Sequence, residues 1–197
     1  PYPTIPGAGA RGSYEAFLGQ FLLPAGFDNT LWLSQVQQGL AVRRQLVETR
    51  VGAAAAGFVF WRLNDSWPGC SPSSLDFEGR WKALHFMARR FFAPLSVCGV
   101  YRREAGTVDL LAINDGVKPF KGEVQWRMTQ MDGSVVLEGA KKVAVASAAQ
   151  ERPAVVKVAD ALKKCGAATL LLWVYLLDEP GNKLSWDLVP FCALTEL

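Results

Sequence analysis

Apolar residues first recur at helical spacing through Trp32, Leu33, Val36, Leu40 and Val47, with Gln35, Gln38, Arg44 and Glu48 elsewhere on the cylinder, and this predicts a helix over 30–50. Asp28, Asn29 or Thr30 can cap its start, and Gly52 is a reasonable stop. The pattern then changes. From Gly57 to Leu63 (Gly-Phe-Val-Phe-Trp-Arg-Leu) nearly every position is apolar instead of every second one, as in a parallel strand buried on both faces. The run ends in the polar cluster Asn64-Asp65-Ser66-Trp67-Pro68-Gly69. A second helix is predicted from about Arg80 to Phe92, with Leu84, Met87, Ala88 and Phe91 on one side. Helix, buried strand, loop, helix is the rhythm of a βα-barrel. Upstream, residues 1–27 are rich in Pro and Gly around one short apolar stretch, Tyr14 to Leu23.

Ala93-Pro94 ends the second helix, because a proline disfavours helical geometry in the residue before it. Everything beyond reads as β. Val124, Trp126 and Met128 alternate with Glu123, Gln125 and Arg127, and Asp132-Gly133 offers a tight turn before Val135 to Leu137. Leu170 to Leu177 forms a second apolar strand, which Asp178-Glu179-Pro180-Gly181-Asn182 turns into Lys183 to Val189. Short strands and turn signals over this stretch predict an immunoglobulin-like sandwich. The expected organisation is therefore α/β over residues 1–93, followed by an all-β domain over 94–197, with no internal repeat.

Composition narrows the function. The 197 residues are 50% hydrophobic, enough to bury a core, and 21 basic side chains are scattered among 18 acidic ones for a net charge of +3. This gives no dedicated surface for nucleic acid or anionic lipid; Arg89-Arg90 and Arg102-Arg103 read as solvated ends of elements. Cysteines at 70, 98, 165 and 192 lack CxxC spacing, and His85 is the single histidine, so the composition points away from zinc sites and His-based triads. A disulfide among Cys98, Cys165 and Cys192 is open without being indicated. No apolar run approaches the roughly 20 residues of a bilayer span. The opening Pro1-Tyr2-Pro3-Thr4-Ile5-Pro6-Gly7 reads as mid-protein loop, so the chain is expected to be a fragment or a processed product.

One long pattern is more specific. Phe60-Trp61-Arg62-Leu63-Asn64-Asp65-Ser66-Trp67-Pro68, then Ser73-Ser74-Leu75-Asp76-Phe77-Glu78-Gly79-Arg80-Trp81-Lys82-Ala83-Leu84-His85-Phe86 and Phe91-Phe92-Ala93-Pro94-Leu95, closely resembles β-mannosidases of glycoside hydrolase family 2. The resemblance runs upstream through Asp28 to Gln37 and, more loosely, downstream through Lys163-Lys164-Cys165-Gly166 to Leu197. It implies that residues 57–63 and 80–92 are the last strand and helix of a (β/α)8 barrel, that helix 30–50 is the seventh, and that an immunoglobulin-like domain follows. A retaining glycosidase needs two carboxylates about 5–5.5 Å apart. In the family both are glutamates on earlier barrel strands, the nucleophile in a Ser-Glu-Phe-Gly or Ser-Glu-Tyr-Gly context that this chain lacks. No catalytic residue is therefore assigned within the chain, and the nucleophile and the acid/base are expected upstream.

The candidate substrate-binding residues are Trp61, Asn64 and Asp65. A flat ring at a strand end suits the apolar face of a pyranose, and the resemblance places this tryptophan at the cleaved mannose; the rival reading is core packing. Asn64 and Asp65 can either hydrogen-bond sugar hydroxyls or fix the loop, and both readings stay open. Glu78 is expected to cap or solvate the second helix, Trp67 and Trp81 to pack, and His85 to be packed or hydrogen-bonded. Asn64-Asp65-Ser66 formally matches an N-glycosylation acceptor but is discounted at a buried mouth. The expected parent is an exo-acting retaining β-mannosidase. It would need no metal or organic cofactor, and its partners would be a β-mannoside oligosaccharide and the N-terminal remainder of the same protein, with neither nucleic acid nor membrane. If the source is eukaryotic, the resemblance implies a lysosomal or secreted location. Two rival readings stand beside it. One is another family 2 exo-glycosidase of the β-glucosaminidase or β-galactosidase type. The other is a non-catalytic sandwich that binds carbohydrate or braces a neighbouring domain, which a line of exposed aromatics drawn from Trp126, Trp173 and Trp186 would favour.

Overall fold

The computed structural model describes residues 26–51, 57–69 and 71–191. The chain divides into two compact units, Pro1–Phe91 and Phe92–Leu197, where the sequence pattern put the change at residues 93 and 94.

In the first unit α1 spans Phe27–Val51 and α2 spans Ala83–Phe91. Helix α1 starts earlier than the capping residues suggest. Gly26, at φ +87°, turns the chain, and its carbonyl accepts from Thr30 N at 3.2 Å and from Thr30 Oγ1 at 2.9 Å. Thr30 thus sits inside the first turn, and the expected stop at Gly52 lies outside the described residues. The helices meet where α1 presents no side chain: a Cβ on Gly39 would stand 2.2 Å from Met87 Sδ. Helix α2 begins three residues later than expected because the backbone of Trp81 and Lys82 pairs with the preceding loop instead. The first amide of α2, Ala83 N, donates to the Gln35 side chain of α1 at 3.1 Å.

Residues 57–63 do not form the strand that the apolar run predicts. Phe58, Phe60 and Arg62 are half-buried, whereas Val59, Trp61 and Leu63 are exposed at 94, 77 and 60%. Only one face is covered. A parallel strand exists only through its neighbours, and bridging begins at Asn64, which pairs with Leu75. The Trp61–Arg62 peptide bond is cis.

The second unit is a seven-stranded antiparallel sandwich: β1 (Leu95–Arg102), β2 (Thr107–Asn114), β3 (Phe120–Gln130), β4 (Val135–Val145), β5 (Ala149–Lys157), β6 (Leu170–Asp178) and β7 (Lys183–Pro190). One sheet is ordered β1-β2-β5 and the other β4-β3-β6-β7, so the chain crosses between layers after β2, β4 and β5 in the manner of an immunoglobulin-like fold. A short helix α3, Ala159–Cys165, carries the last of these crossings. Strict alternation drives the packing: Leu170, Leu172, Val174 and Leu176 of β6 are fully buried and face Val108, Leu110 and Ala112 of β2 within one core. Both expected hairpin turns form. Asp132 Oδ1 accepts from Ser134 N at 2.9 Å with Gly133 at φ +88°, and Asp178 Oδ1 accepts from Asn182 N at 2.6 Å.

The two layers are also joined by polar contacts at one corner. Val97 N and Gly99 N on β1 donate to Ser185 Oγ and Asp187 Oδ2 on β7, at 3.3 and 2.9 Å. These side chains take up amides that the β1–β2 ladder leaves over. Packing is tightest at Gly122 in β3, where a Cβ would stand 2.1 Å from the carbonyl oxygen of Leu177 and 2.5 Å from the Phe120 ring. Backbone cannot retreat as a side chain can, so Gly122→Ala should lower the sandwich's stability by about 2 kcal/mol. Chemical denaturation of the chain checks this, and an unchanged midpoint would show that the β3–β6 pairing has slack there.

Candidate functional site

The residues singled out for binding lie in a stretch folded as three backbone segments side by side. Asn64 bridges Leu75 in parallel, and Leu75 bridges Trp81 in antiparallel. Ser74 N and Leu75 N donate to Leu63 O at 3.1 and 2.8 Å, Asp65 N donates to Leu75 O at 3.1 Å, and Lys82 N donates to Ser74 O at 2.9 Å. Short hydroxyl side chains suit this middle segment because they bond nearby backbone. Ser73 and Ser74 are fully buried; Ser73 Oγ donates to Leu75 O at 2.7 Å and Ser74 Oγ to Leu63 O at 3.0 Å. His85 Nδ1 lies 3.1 Å from Ser74 Oγ. With the one hydroxyl proton directed at Leu63 O, the tautomer that fits both contacts carries its proton on Nδ1 and donates to Ser74. His85 is thus hydrogen-bonded and also packed, its ring 4.5 Å from that of Trp81.

The turn that leads to α2 is organised by Asp76. Its Oδ1 accepts from Glu78 N and Arg80 N at 2.9 Å each, its Oδ2 accepts from Arg80 Nε at 2.6 Å, and Gly79 supplies φ +81°. Glu78, expected to cap or solvate the helix, pairs with Arg80 at 2.9 Å on the surface. It lies before the helix start and leaves the first amide to Gln35.

At the centre is a buried ion pair. Lys82 Nζ lies 2.7 Å from Asp65 Oδ2, with side-chain exposures of 11 and 4%. Ser71 Oγ donates to Asp65 Oδ1, and Arg62 stands at 3.9 Å on the same side. Burial alone would raise the pKa of the Asp65 carboxyl; the hydrogen bonds from Lys82 and Ser71 and the Lys82 charge outweigh it and hold the carboxyl below its ordinary value. Of the two roles open for Asp65, sugar binding and loop fixing, this geometry serves the second. Asn64 is exposed and donates through Nδ2 to Asp65 O at 3.1 Å. Trp61 presents its ring outward near this edge, and Arg62 lies over the Trp67 ring at 5.9 Å. Trp81 packs on Phe86 at 5.0 Å. Sequence reasoning missed Lys82 as the partner of Asp65, because a separation of 17 residues follows no helical or strand period. Among the described residues no group of three His, Cys, Asp or Glu side chains comes together to hold a metal ion.

The sandwich aromatics do not form a line. Trp126 is opposite core-facing Val174 and packs on the core, its ring filling the space a Cβ on Gly139 would need. Trp173 and Trp186 lie on the outer face, with ring centroids 6.1 Å apart and planes at 40°. Trp173 Nε1 donates to Thr129 Oγ1 at 3.2 Å, and Lys183 Nζ sits 4.0 Å over the Tyr175 ring. This face is occupied largely by its own side chains.

Residues 106–194 match the family described as Mannosidase Ig/CBM-like domain. The goat β-mannosidase is 41% identical over 83 residues, which are 37% of this chain and 9% of that protein. The rat β-mannosidase is 29% identical over 167 residues, covering 78% of this chain and 19% of its own. The chain is thus similar to parts of β-mannosidases, and its sandwich matches a Mannosidase Ig/CBM-like domain. Its fold superposes on β-D-mannosidase from Dictyoglomus thermophilum with a TM-score of 0.85 at 20% identity, over 97% of this chain and 23% of the other. It superposes on the exo-chitosanase from Amycolatopsis orientalis with a TM-score of 0.77 at 16% identity, over 92% and 21%. The chain spans at most about a fifth of the curated relatives named here.

The ion pair yields a measurable pH signature. Asp65→Asn leaves the Lys82 ammonium buried without its counter-ion and should lower stability at neutral pH by about 3 kcal/mol. Because the folded-state pKa of Asp65 is depressed, its contribution is present in full above the unfolded value and is lost as pH falls through the folded one. The gap between wild type and Asp65→Asn, read from denaturant midpoints, should therefore narrow as pH drops below about 4.

Proposed function

We propose that this chain is part of a retaining exo-β-mannosidase that removes terminal β-D-mannose from oligosaccharides. The observation that carries the proposal is the outward-facing Trp61 ring beside exposed Asn64, on an edge whose backbone is fixed by the buried Asp65–Lys82 pair. The β-mannosidases among the relatives support the same reading. In it, residues 57–92 complete a (β/α)8 barrel whose other strands lie in the remainder of the parent protein. The outward residues Val59, Trp61 and Leu63 would then meet neighbouring strands and the active-site mouth.

The two glutamates belong to that remainder. The nucleophile attacks the anomeric carbon while the other protonates the leaving oxygen, and the latter then activates water to release the sugar. What this chain contributes is the floor of the sugar site. An indole face packs on the apolar face of a pyranose, and Asn64 offers an amide to its hydroxyls. A flat platform under a ring that flattens in the transition state assists catalysis only if its contact strengthens along the way. Loss of that contact shows in kcat/KM more than in folding.

In the full-length enzyme, Trp61→Ala should lower kcat/KM for an aryl β-mannoside by a factor equivalent to about 2–4 kcal/mol while the fold is retained. Trp81→Ala, which removes the tilted ring contacts with His85 and Phe86, should lower the melting temperature more than the specific activity of folded enzyme. Near-normal kcat/KM with early melting for Trp61→Ala would return Trp61 to the core. Assay against aryl β-glucosaminides and β-galactosides in parallel decides the sugar. The isolated 197-residue chain is predicted not to hydrolyse an aryl β-mannoside, as a purified preparation free of host glycosidase can test.

A further inference from the structure

We propose that Lys82 is a positioning residue for the sugar site, holding the Trp61–Asn64 edge in its binding geometry through Asp65. This rests on the β-mannosidase reading above. An ammonium has three N–H donors, and the structure gives each of them an acceptor: Asp65 Oδ2 at 2.7 Å, Ser73 Oγ at 2.7 Å and Ser71 O at 3.5 Å. None is left to reach a substrate, so Lys82 acts on the sugar only through what it holds. All three acceptors belong to the 65–73 loop, and they grip it at both ends.

The route from Lys82 to the edge is short. Asp65 N donates to Leu75 O, and Asn64 Nδ2 donates to Asp65 O at 3.1 Å, so the carboxylate that Lys82 fixes belongs to the residue that bridges both. Lys82 is itself tied into the same layer, because its amide donates to Ser74 O at 2.9 Å. One side chain therefore locks the segment before the loop to the segment after it. Arg80, two residues earlier, makes a surface pair with Asp76 and Glu78 and touches none of these groups.

A structural role and a positioning role differ in one respect. Taking the charge from Lys82 alone strands the Asp65 carboxylate, whereas replacing both members with apolar residues removes that penalty and restores stability without restoring the grip. The test uses the full-length protein with Lys82→Met, Lys82→Arg, the double variant Lys82→Met/Asp65→Leu, and Arg80→Met as control. Melting, steady-state kinetics on an aryl β-mannoside and backbone hydrogen exchange over residues 62–75 are measured on each.

We expect Lys82→Met to melt early and to lose kcat/KM roughly ten- to a hundredfold, chiefly in kcat, as a misplacement of the platform would give. The double variant should regain most of the melting temperature while kcat/KM stays low and the amides of Asp65, Ser74 and Leu75 stay unprotected. Lys82→Arg should recover part of the activity, and Arg80→Met should behave as wild type. Recovery of both melting temperature and kcat/KM in the double variant would overturn the proposal and leave Lys82 a stability residue. Should the wild-type protein fail to cleave any β-mannoside, the functional reading falls while hydrogen exchange still judges the clamp. Protection unchanged in Lys82→Met would then refute it, and protection lost in both Lys82→Met and the double variant would uphold it.

Discussion

A buried N–H or C=O without a partner costs on the order of 1–3 kcal/mol, and this demand shapes the two halves of the chain differently. The sandwich meets it internally. Every strand pairs with at least one neighbour, and the leftover amides of Val97 and Gly99 find Ser185 and Asp187. Asn114 does the same for loops: its Nδ2 lies within reach of the carbonyls of Lys118 at 2.8 Å and Ala146 at 3.0 Å, and its Oδ1 accepts from Gly116 N at 3.0 Å. Over 62–82 the first unit answers it with serine hydroxyls, an aspartate and a lysine in place of a regular ladder, and leaves Arg62 Nε buried without a hydrogen-bond partner.

That difference explains what could be read in advance. Strands β3, β6 and β7 and both hairpin turns were legible because alternation and turn chemistry are local signals. The turns at Asp132-Gly133 and Asp178–Asn182 close through the aspartate side chains that made them recognisable. Strands β1, β2 and β5 and helix α3 were not singled out. Six consecutive residues of β2, from Val108 to Ile113, are buried, including Asp109, whose carboxylate is held by Arg102 at 3.1 Å. A strand so buried shows no alternation, and the charge in its midst reads as loop until its partner is seen.

The run 57–63 failed for the opposite reason. Its composition describes a strand covered on both faces, while its described surroundings cover one. Composition records the environment for which a segment was selected, and backbone pairing records the partners at hand. On the proposed function the two agree, because the missing neighbours are the other strands of the barrel. The loop after it was legible as a polar cluster and as a resemblance. Its organisation was not, since the contacts that matter, Asp65 to Lys82 across 17 residues and Ser74 to His85 across 11, are made through a loop with no regular element to carry a period.

The choice of a salt bridge at this edge carries information of its own. Buried ion pairs are poor stabilisers: a pair replaced by apolar side chains of similar volume is often neutral or more stable, because desolvation offsets most of the attraction. If rigidity at 62–82 were needed only to keep the protein folded, an apolar pair between residues 65 and 82 would serve as well. What a charged, three-acceptor contact supplies instead is direction. Lys82 can meet Asp65, Ser71 and Ser73 together in few loop conformations, whereas an apolar contact tolerates sliding. On the proposed function, a loop beside an exposed tryptophan and asparagine is where tolerance of sliding would harm recognition, since a sugar is read by the angle of a ring and the reach of an amide. The pair is therefore placed where conformational precision matters more than stability.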